Sequence, residues 1–249
     1  MVESAFKLVK IIGFFKMKKI ILALLLPAIC VIFANAAPKV VRVDKVVYLE
    51  ALYGFGEMNY PQKGFIHEAQ LRAIFPTTSA MHELLARGTF SQNTKSHDID
   101  AKYRGYEVEY RLGMRMDSQF ESMGMVLGSA YIGLGYQNVV QSYSDSRPRR
   151  NMHFLYIPVG FWGEDSMSDW GSFMANFKMR YGILTKMMFV DTNNSENKLK
   201  GHFLFGGKVY LGLAYKIADV VDIFAQGYFQ YGTPIRNLRQ YGLEVGIQF

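Results

Sequence analysis

Five histidines, His67, His82, His97, His153 and His202, are the residues best suited to acid–base chemistry in this chain. A Ser two residues after a His would put base and nucleophile on one face of a strand. At that offset the five meet Ala69, Leu84, Ile99, Leu155 and Leu204, so the pairing is absent. "SHDID" gathers His97, Asp98 and Asp100 without the spacing of a metal site and reads as a solvated loop. "SRPRR" carries Arg147, Arg149 and Arg150, a candidate anion-binding loop because guanidinium matches phosphate bidentately. The single cysteine, Cys30, excludes a disulfide within the chain. No catalytic residue, metal or cofactor is expected from these patterns.

A second set of charges is more ordered. In "YEVEYRLGMRM", Tyr106, Val108, Tyr110, Leu112, Met114 and Met116 alternate with Glu107, Glu109, Arg111, Gly113 and Arg115. At 180° per residue every apolar group falls on one face and every charge on the other, whereas a helix would mix them. The same beat places Lys178 and Arg180, Lys208, and Glu244 opposite apolar partners. It predicts eight strands: Val46 to Gly56, Tyr103 to Met116, Met123 to Asn138, Met152 to Trp162, Ser172 to Met187, Gly201 to Lys216, Val220 to Tyr231 and Leu238 to Phe249. Each reaches the roughly 9 to 11 residues that a tilted strand needs to cross a bilayer. A secreted β-sandwich shares the alternation but would be built of shorter strands with the polar face in water. Here the apolar face carries large side chains, and the other carries Glu107, Glu109 and Glu244 against Arg111, Arg115, Lys178, Arg180 and Lys208. These suit a narrow barrel whose lumen they bridge. Tyr53, Phe55, Tyr103, Tyr136, Tyr156, Trp162, Tyr231 and Tyr241 lie near strand ends and are expected to form interfacial girdles.

The formal charge of +7 would suit nucleic acid, but the first 36 residues hold Lys7, Lys10, Lys16, Lys18 and Lys19 against Glu3 alone. Without them 23 basic and 20 acidic residues remain, and a nucleic-acid partner is not expected. From Met17 the chain reads as two lysines, an apolar run from Ile20 to Phe33 broken by Pro27, and Ala34-Asn35-Ala36. This is the layout of a cleaved secretory leader over residues 1–36, with Met17 the better start and 37–249 the exported barrel. Ile29 before Cys30 argues against a lipoprotein signal.

With leader and strands in place, the chain resembles the small outer-membrane β-barrels of Gram-negative bacteria, of the OmpA-membrane-domain, OmpX and opacity-protein type. The resemblance is most specific at the end, where Tyr241, Gly242, Leu243, Val245, Ile247 and Phe249 match the closing strand that the barrel-assembly machinery recognises. It implies residence in the cell outer membrane among lipid and lipopolysaccharide. It also implies chain ends facing the periplasm and external loops at Glu57 to Lys102, Gln141 to Arg150, Phe189 to Lys200 and Gly232 to Asn237. The first loop is long. Within it "FIHEAQLRAIF" (Phe65 to Phe75) alternates like a strand, and "SAMHELLARG" (Ser79 to Gly88) reads as a short helix with Ser79 as N-cap and Gly88 as its end. Eight strands are expected, with ten as the alternative if a partner strand forms around Arg87 to Asn93, because bacterial barrels keep even numbers. The expected role is structural, surface-antigen or adhesion-like, with an extracellular ligand as a further partner and no catalysis. The alternatives are a barrel hydrolase for lipid or peptide, which would need ten or more strands and a His near an acid or Ser at the rim, and a narrow porin-like channel.

Overall fold

The computed structural model describes residues 47–60, 63–96, 99–116, 125–145, 148–168, 171–190, 196–200, 205–218, 220–232 and 238–249. The expected leader, Cys30 and the alternative start at Met17 lie outside these residues. So do His97, Asp98, Arg147, His202 and the link "DSQFES".

The strands are β1 (Tyr48–Tyr60), β2 (Lys63–Pro76), β3 (Ala80–Ser96), β4 (Ile99–Arg115), β5 (Met125–Tyr143), β6 (Arg149–Ser168), β7 (Gly171–Val190), β8 (Glu196–Lys200), β9 (Phe205–Ala218), β10 (Val221–Gly232) and β11 (Arg239–Gln248). Each pairs antiparallel with its neighbours, β1 closes on β11 and β6 joins β7, so ten strands form an unbroken ring. The eleventh, β8, stands outside the ring and pairs only with Lys186–Val190 of β7. Closure gives every ring strand two hydrogen-bonded neighbours, which is the condition for a sheet to sit in lipid.

The barrel therefore has ten strands rather than the expected eight. All eight expected strands are present, and the difference lies wholly in Glu57 to Lys102, which is not a long loop but the end of β1, the whole of β2 and β3, and the start of β4. The expected strand at Phe65 to Phe75 is β2, and the expected helix at Ser79 to Gly88 belongs instead to the turn before β3 and to β3 itself. Its inward residues are Met81, Glu83, Leu85 and Arg87, two apolar and two charged, so the polar-in, apolar-out alternation is hidden in the sequence. The helix-start signal around Ser79 serves a tight turn: Ala80 N donates to Thr77 Oγ1 at 3.0 Å, and Thr77 Oγ1 donates to Ala80 O at 2.9 Å. The stretch "GEDSMSDWG" (Gly163 to Gly171), left between the expected strands Met152 to Trp162 and Ser172 to Met187, is likewise mostly strand, because β6 runs to Ser168 and β7 starts at Gly171.

Following the register from Phe154 of β6 through β5, β4, β3, β2, β1, β11, β10, β9 and β7 returns to β6 at Ser166, twelve residues further on. That stagger tilts the strands by about 40° and sets a bore that side chains can fill. β6 and β7, at 20 residues each, exceed what a tilted crossing requires.

The exterior is apolar. Leu71, Leu84, Val108, Leu134, Leu213 and Leu243 are each about half exposed on the outer wall, while Glu68, Glu83, Glu107, Lys178, Lys208 and Glu244 are buried inside. This inverts the arrangement of a water-soluble protein and identifies the outer wall as a surface for lipid. The girdle expectation is corrected in part. Tyr53, Phe55, Tyr231 and Tyr241 are exposed on the outside and Tyr136 is half-buried, but Tyr103, Tyr156 and Trp162 point into the lumen with at most 4% exposure. Their strand parity matches that of the buried charges.

Leu243 lies between Phe55 of β1 and Gly227 of β10 on the lipid side. Leu243→Arg is expected to destabilise the bilayer-inserted barrel by about 2–4 kcal/mol, the cost of a cation near the midplane. Denaturant titration in vesicles checks this, and a loss no greater than that of Leu243→Ala contradicts it.

Candidate functional site

Strand alternation sends every second side chain inward, and in the middle of the barrel these are charged. Among the described residues six carboxylates and six cations form one continuous chain of opposite signs. It begins at Glu50 on β1, paired with Arg72 of β2 at 3.2 Å, and Arg72 reaches Glu83 of β3 at 2.8 Å. Arg111 of β4 joins Glu83 at 3.2 Å and pairs closely with Glu109 on its own strand. Lys178 of β7 crosses to Glu109 at 3.1 Å and to Glu107 at 3.2 Å, and Arg180 meets Glu107 at 2.7 Å. Arg87 of β3 links Glu107 at 4.0 Å to Glu68 of β2 at 3.8 Å, and Lys208 of β9 ends the chain on Glu68 at 2.8 Å and Glu244 of β11 at 3.1 Å. All twelve are buried.

Neutral side chains take up part of the remaining bonding capacity, while Arg180 Nε and Nη1 are buried without a hydrogen-bond partner among the described residues. Tyr156 Oη lies 2.7 Å from both Glu107 and Glu109, Trp162 Nε1 donates to Glu83 at 2.6 Å, and Gln240 Nε2 donates to Glu68 at 2.7 Å. Aromatic faces cover the cations: Arg72 sits 4.3 Å from the Trp162 ring centre, Arg111 4.5 Å from Tyr131 and Lys208 3.9 Å from Tyr228. Gly135 makes this possible for Tyr156, its cross-strand partner, because a β-carbon on Gly135 would overlap the tyrosine ring.

Two apolar layers bound the charges. At the end where β1 meets β2, Met58, Ile66, Tyr103, Val139, Met152 and Leu238 pack across the lumen. At the opposite end Tyr48, Ile74, Met81, Leu127, Tyr131 and Trp162 do the same. A lumen cavity between Glu50, Arg72, Arg111, Asn176 and Gln226 measures about 30 Å³, room for water rather than a substrate.

Of the lumen residues picked out in the sequence, Glu107, Glu109, Arg111, Lys178, Arg180, Lys208 and Glu244 stand together in this chain. Arg115 does not join them; it lies at the end of β4 and donates to Thr77 O at 3.3 Å in the β2–β3 turn. Sequence reading missed Glu50, Glu68, Arg72, Glu83 and Arg87 as members. Glu68 and Arg72 alternate visibly with Ala69, Leu71 and Ala73, whereas Glu83 and Arg87 sit in the segment read as a helix.

Arg149 and Arg150 begin β6 and are exposed, with the Arg150 guanidinium 5.7 Å from the Tyr143 ring centre. Tyr241, Leu243, Val245, Ile247 and Phe249 face outward, Gly242 faces Tyr228 in the lumen, and Phe249 adds two bonds with Leu49, at 2.8 and 3.1 Å, to the β1–β11 seam. The three described histidines are on the outer wall rather than at a rim site, hydrogen-bonded to tyrosines: His67 to Tyr53 at 2.7 Å, His82 to Tyr110 at 2.8 Å and His153 to Tyr136 at 2.6 Å.

No family model matches the chain, and no curated protein matches it in sequence. Among solved structures it is similar to the translocator domain of the autotransporter NalP from Neisseria meningitidis, with 12% identity, 84% of this chain and 90% of that one covered, and a TM-score of 0.50. The chain has the fold of an outer-membrane β-barrel. Other similar structures are Neisserial surface protein A (10% identity, 82% and 96% covered, TM-score 0.41) and a major outer membrane protein from Thermus thermophilus (8%, 82% and 100%, TM-score 0.43). The likeness is one of fold, and the barrel's particular character lies in the ion-pair chain of its lumen.

Lys178 tests that lumen. Lys178→Met removes a cation held by two carboxylates and is expected to cost about 3–5 kcal/mol, the range for leaving buried charge uncompensated. Unfolding in detergent or bilayer checks it. A loss below that of an exterior substitution such as Ile132→Ala would show that the pairs contribute nothing.

Proposed function

We propose that this is a non-catalytic, non-conducting outer-membrane barrel whose role is structural and surface-displayed, of the surface-antigen or adhesion type. The observation that carries the reading is the lumen: among the described residues two apolar layers and a continuous ion-pair chain occupy the bore. A pore needs a water-filled path, and a hydrolase needs a cleft that converges on reactive groups. The ten-strand ring meets one requirement of the hydrolase reading, but the placement of His67, His82 and His153 on the outer wall supports the scaffold. What remains for function is the outer end, where β7 runs on from Tyr181, its last pair with β9, to Val190, alongside β6, and β8 extends the wall.

The reading places the β5–β6 turn and the β7–β8 hairpin outside the cell and the β6–β7 and β9–β10 turns in the periplasm. Protease or a bulky thiol reagent applied to intact cells is expected to reach a tag inserted after Asp145 and not one inserted after Ala218. The reverse pattern inverts the topology. In planar bilayers the purified protein is expected to be silent, and steady single-channel steps would replace the scaffold with a channel.

The assembly-signal reading of Tyr241 to Phe249 belongs to the same proposal. It is supported by the two bonds through which Phe249 joins β11 to β1, with the barrel-assembly machinery as the transient partner. Deleting Phe249 is expected to lower the heat-modifiable, membrane-inserted fraction while leaving export to the periplasm intact. Unchanged insertion would assign the signal elsewhere.

A further inference from the structure

The outward charges of the barrel are unevenly placed. Lys63 of β2, Lys95 of β3, and Lys102 and Arg104 of β4 are all exposed, and all lie at the outer tips of three adjacent strands. Lys63 and Lys95 stand directly opposite each other across the β2–β3 ladder, a like-charge pairing that costs stability by itself. Asp100 is opposite Lys95, and with Asp145, just past β5, it sets two described carboxylates against four cations at these tips. Among the described residues none of the four cations is in an ion pair.

The backbone opens at the same place. Between Phe90↔Arg104 and Thr94↔Ala101 three residues of β3 oppose two of β4, a bulge that parts the strands and re-aims their side chains. Beside it lies a cleft of about 650 Å³ lined by Lys95, Asp100, Lys102, Ser142 and Ser144 together with Tyr143, the ring over which Arg150 sits. Ammonium groups with hydroxyl donors at a positively charged opening match a phosphate group. Just below on the same outward faces are Phe65, Phe90 and Tyr106, all exposed. Aromatics in that position mark the boundary between hydrocarbon and headgroups. The anion that reaches this level is carried by a lipid.

We propose that the cleft at the outer tips of β3, β4 and β5 binds the phosphate of an outer-leaflet lipid headgroup, held by Lys95 and Lys102 and flanked by Lys63 and Arg104. The assignment rests on the outer-membrane reading above, which fixes this end as the external one. The bound phosphate neutralises the Lys63–Lys95 repulsion, so lipid and β2–β3 pairing stabilise each other.

The test uses the full chain refolded in neutral detergent, with native mass spectrometry of a bis-phosphorylated glycolipid and its dephosphorylated counterpart. The protein is expected to retain the phosphorylated lipid about tenfold more strongly, the scale of one charge-assisted contact. The Lys95→Gln/Lys102→Gln double variant is expected to bring the two to parity, and Lys186→Gln, away from the cleft, to change neither. Lys63→Glu moves two readouts in opposite directions: it raises the unfolding temperature in lipid-free detergent by relieving the repulsion, and it lowers lipid retention. Boiled and unboiled gel mobility shows independently that each variant is a folded barrel. Equal retention of both lipids, unchanged retention by a folded double variant, or inorganic pyrophosphate binding as tightly as the lipid would each overturn the proposal.

Discussion

The ion-pair chain from Glu50 to Glu244 is the interaction around which the barrel is organised. Its members come from β1, β2, β3, β4, β7, β9 and β11, so it ties together strands that do not neighbour one another in the ring. A wall of antiparallel strands has hydrogen bonds only between neighbours; contacts across the bore must come from side chains. Glu107 and Glu109 meeting Lys178 span the interior from β4 to β7, and Arg87 reaches Tyr210 of β9 at 2.7 Å. Buried pairs of this kind gain little net stability over apolar residues, because desolvation offsets most of the attraction. Their value here is specificity, since a strand slipped by one residue would put its charges in lipid.

The same charges answer a constraint from outside the folded state. A strand apolar on both faces would read as a continuous apolar run of the kind that becomes a membrane helix. Placing Glu, Arg and Lys at alternate positions keeps every segment short of that threshold while leaving one face fit for lipid. The interior then has to be satisfied internally, which explains why tyrosines, glutamines and Trp162 surround the charges and why Gly135 yields its space to Tyr156. The apolar layers at each end, with Met58 in one and Met81 in the other, separate this network from water.

Around the ion-pair chain the strand tips are unequal. The wall rises at β6 and β7, where β7 runs past its last pair with β9, while the cationic face lies on β2, β3 and β4. The barrel thus presents one tall side and one basic side.

Eight of the ten ring strands, and β2 as a further strand-like stretch, were legible because residues such as Tyr106 to Met116 alternate strictly between lipid-facing apolar groups and lumen-facing charges. β3 was not, because its inward residues Met81 and Leu85 belong to apolar lumen surroundings and break the pattern from inside. Tyr103, Tyr156 and Trp162 were misplaced for the same reason, since an aromatic satisfies either face and only its parity within the folded strand assigns one. By itself the sequence determined the class: a chain of long alternating strands fit for a bilayer, with the charges that line its lumen largely identifiable. The tertiary structure decided the strand number, the partners of each charge and the closure of the bore. Those depend on register around a closed ring, where a twelve-residue stagger brings β4 opposite β7, and no local pattern encodes which strands face each other across a barrel.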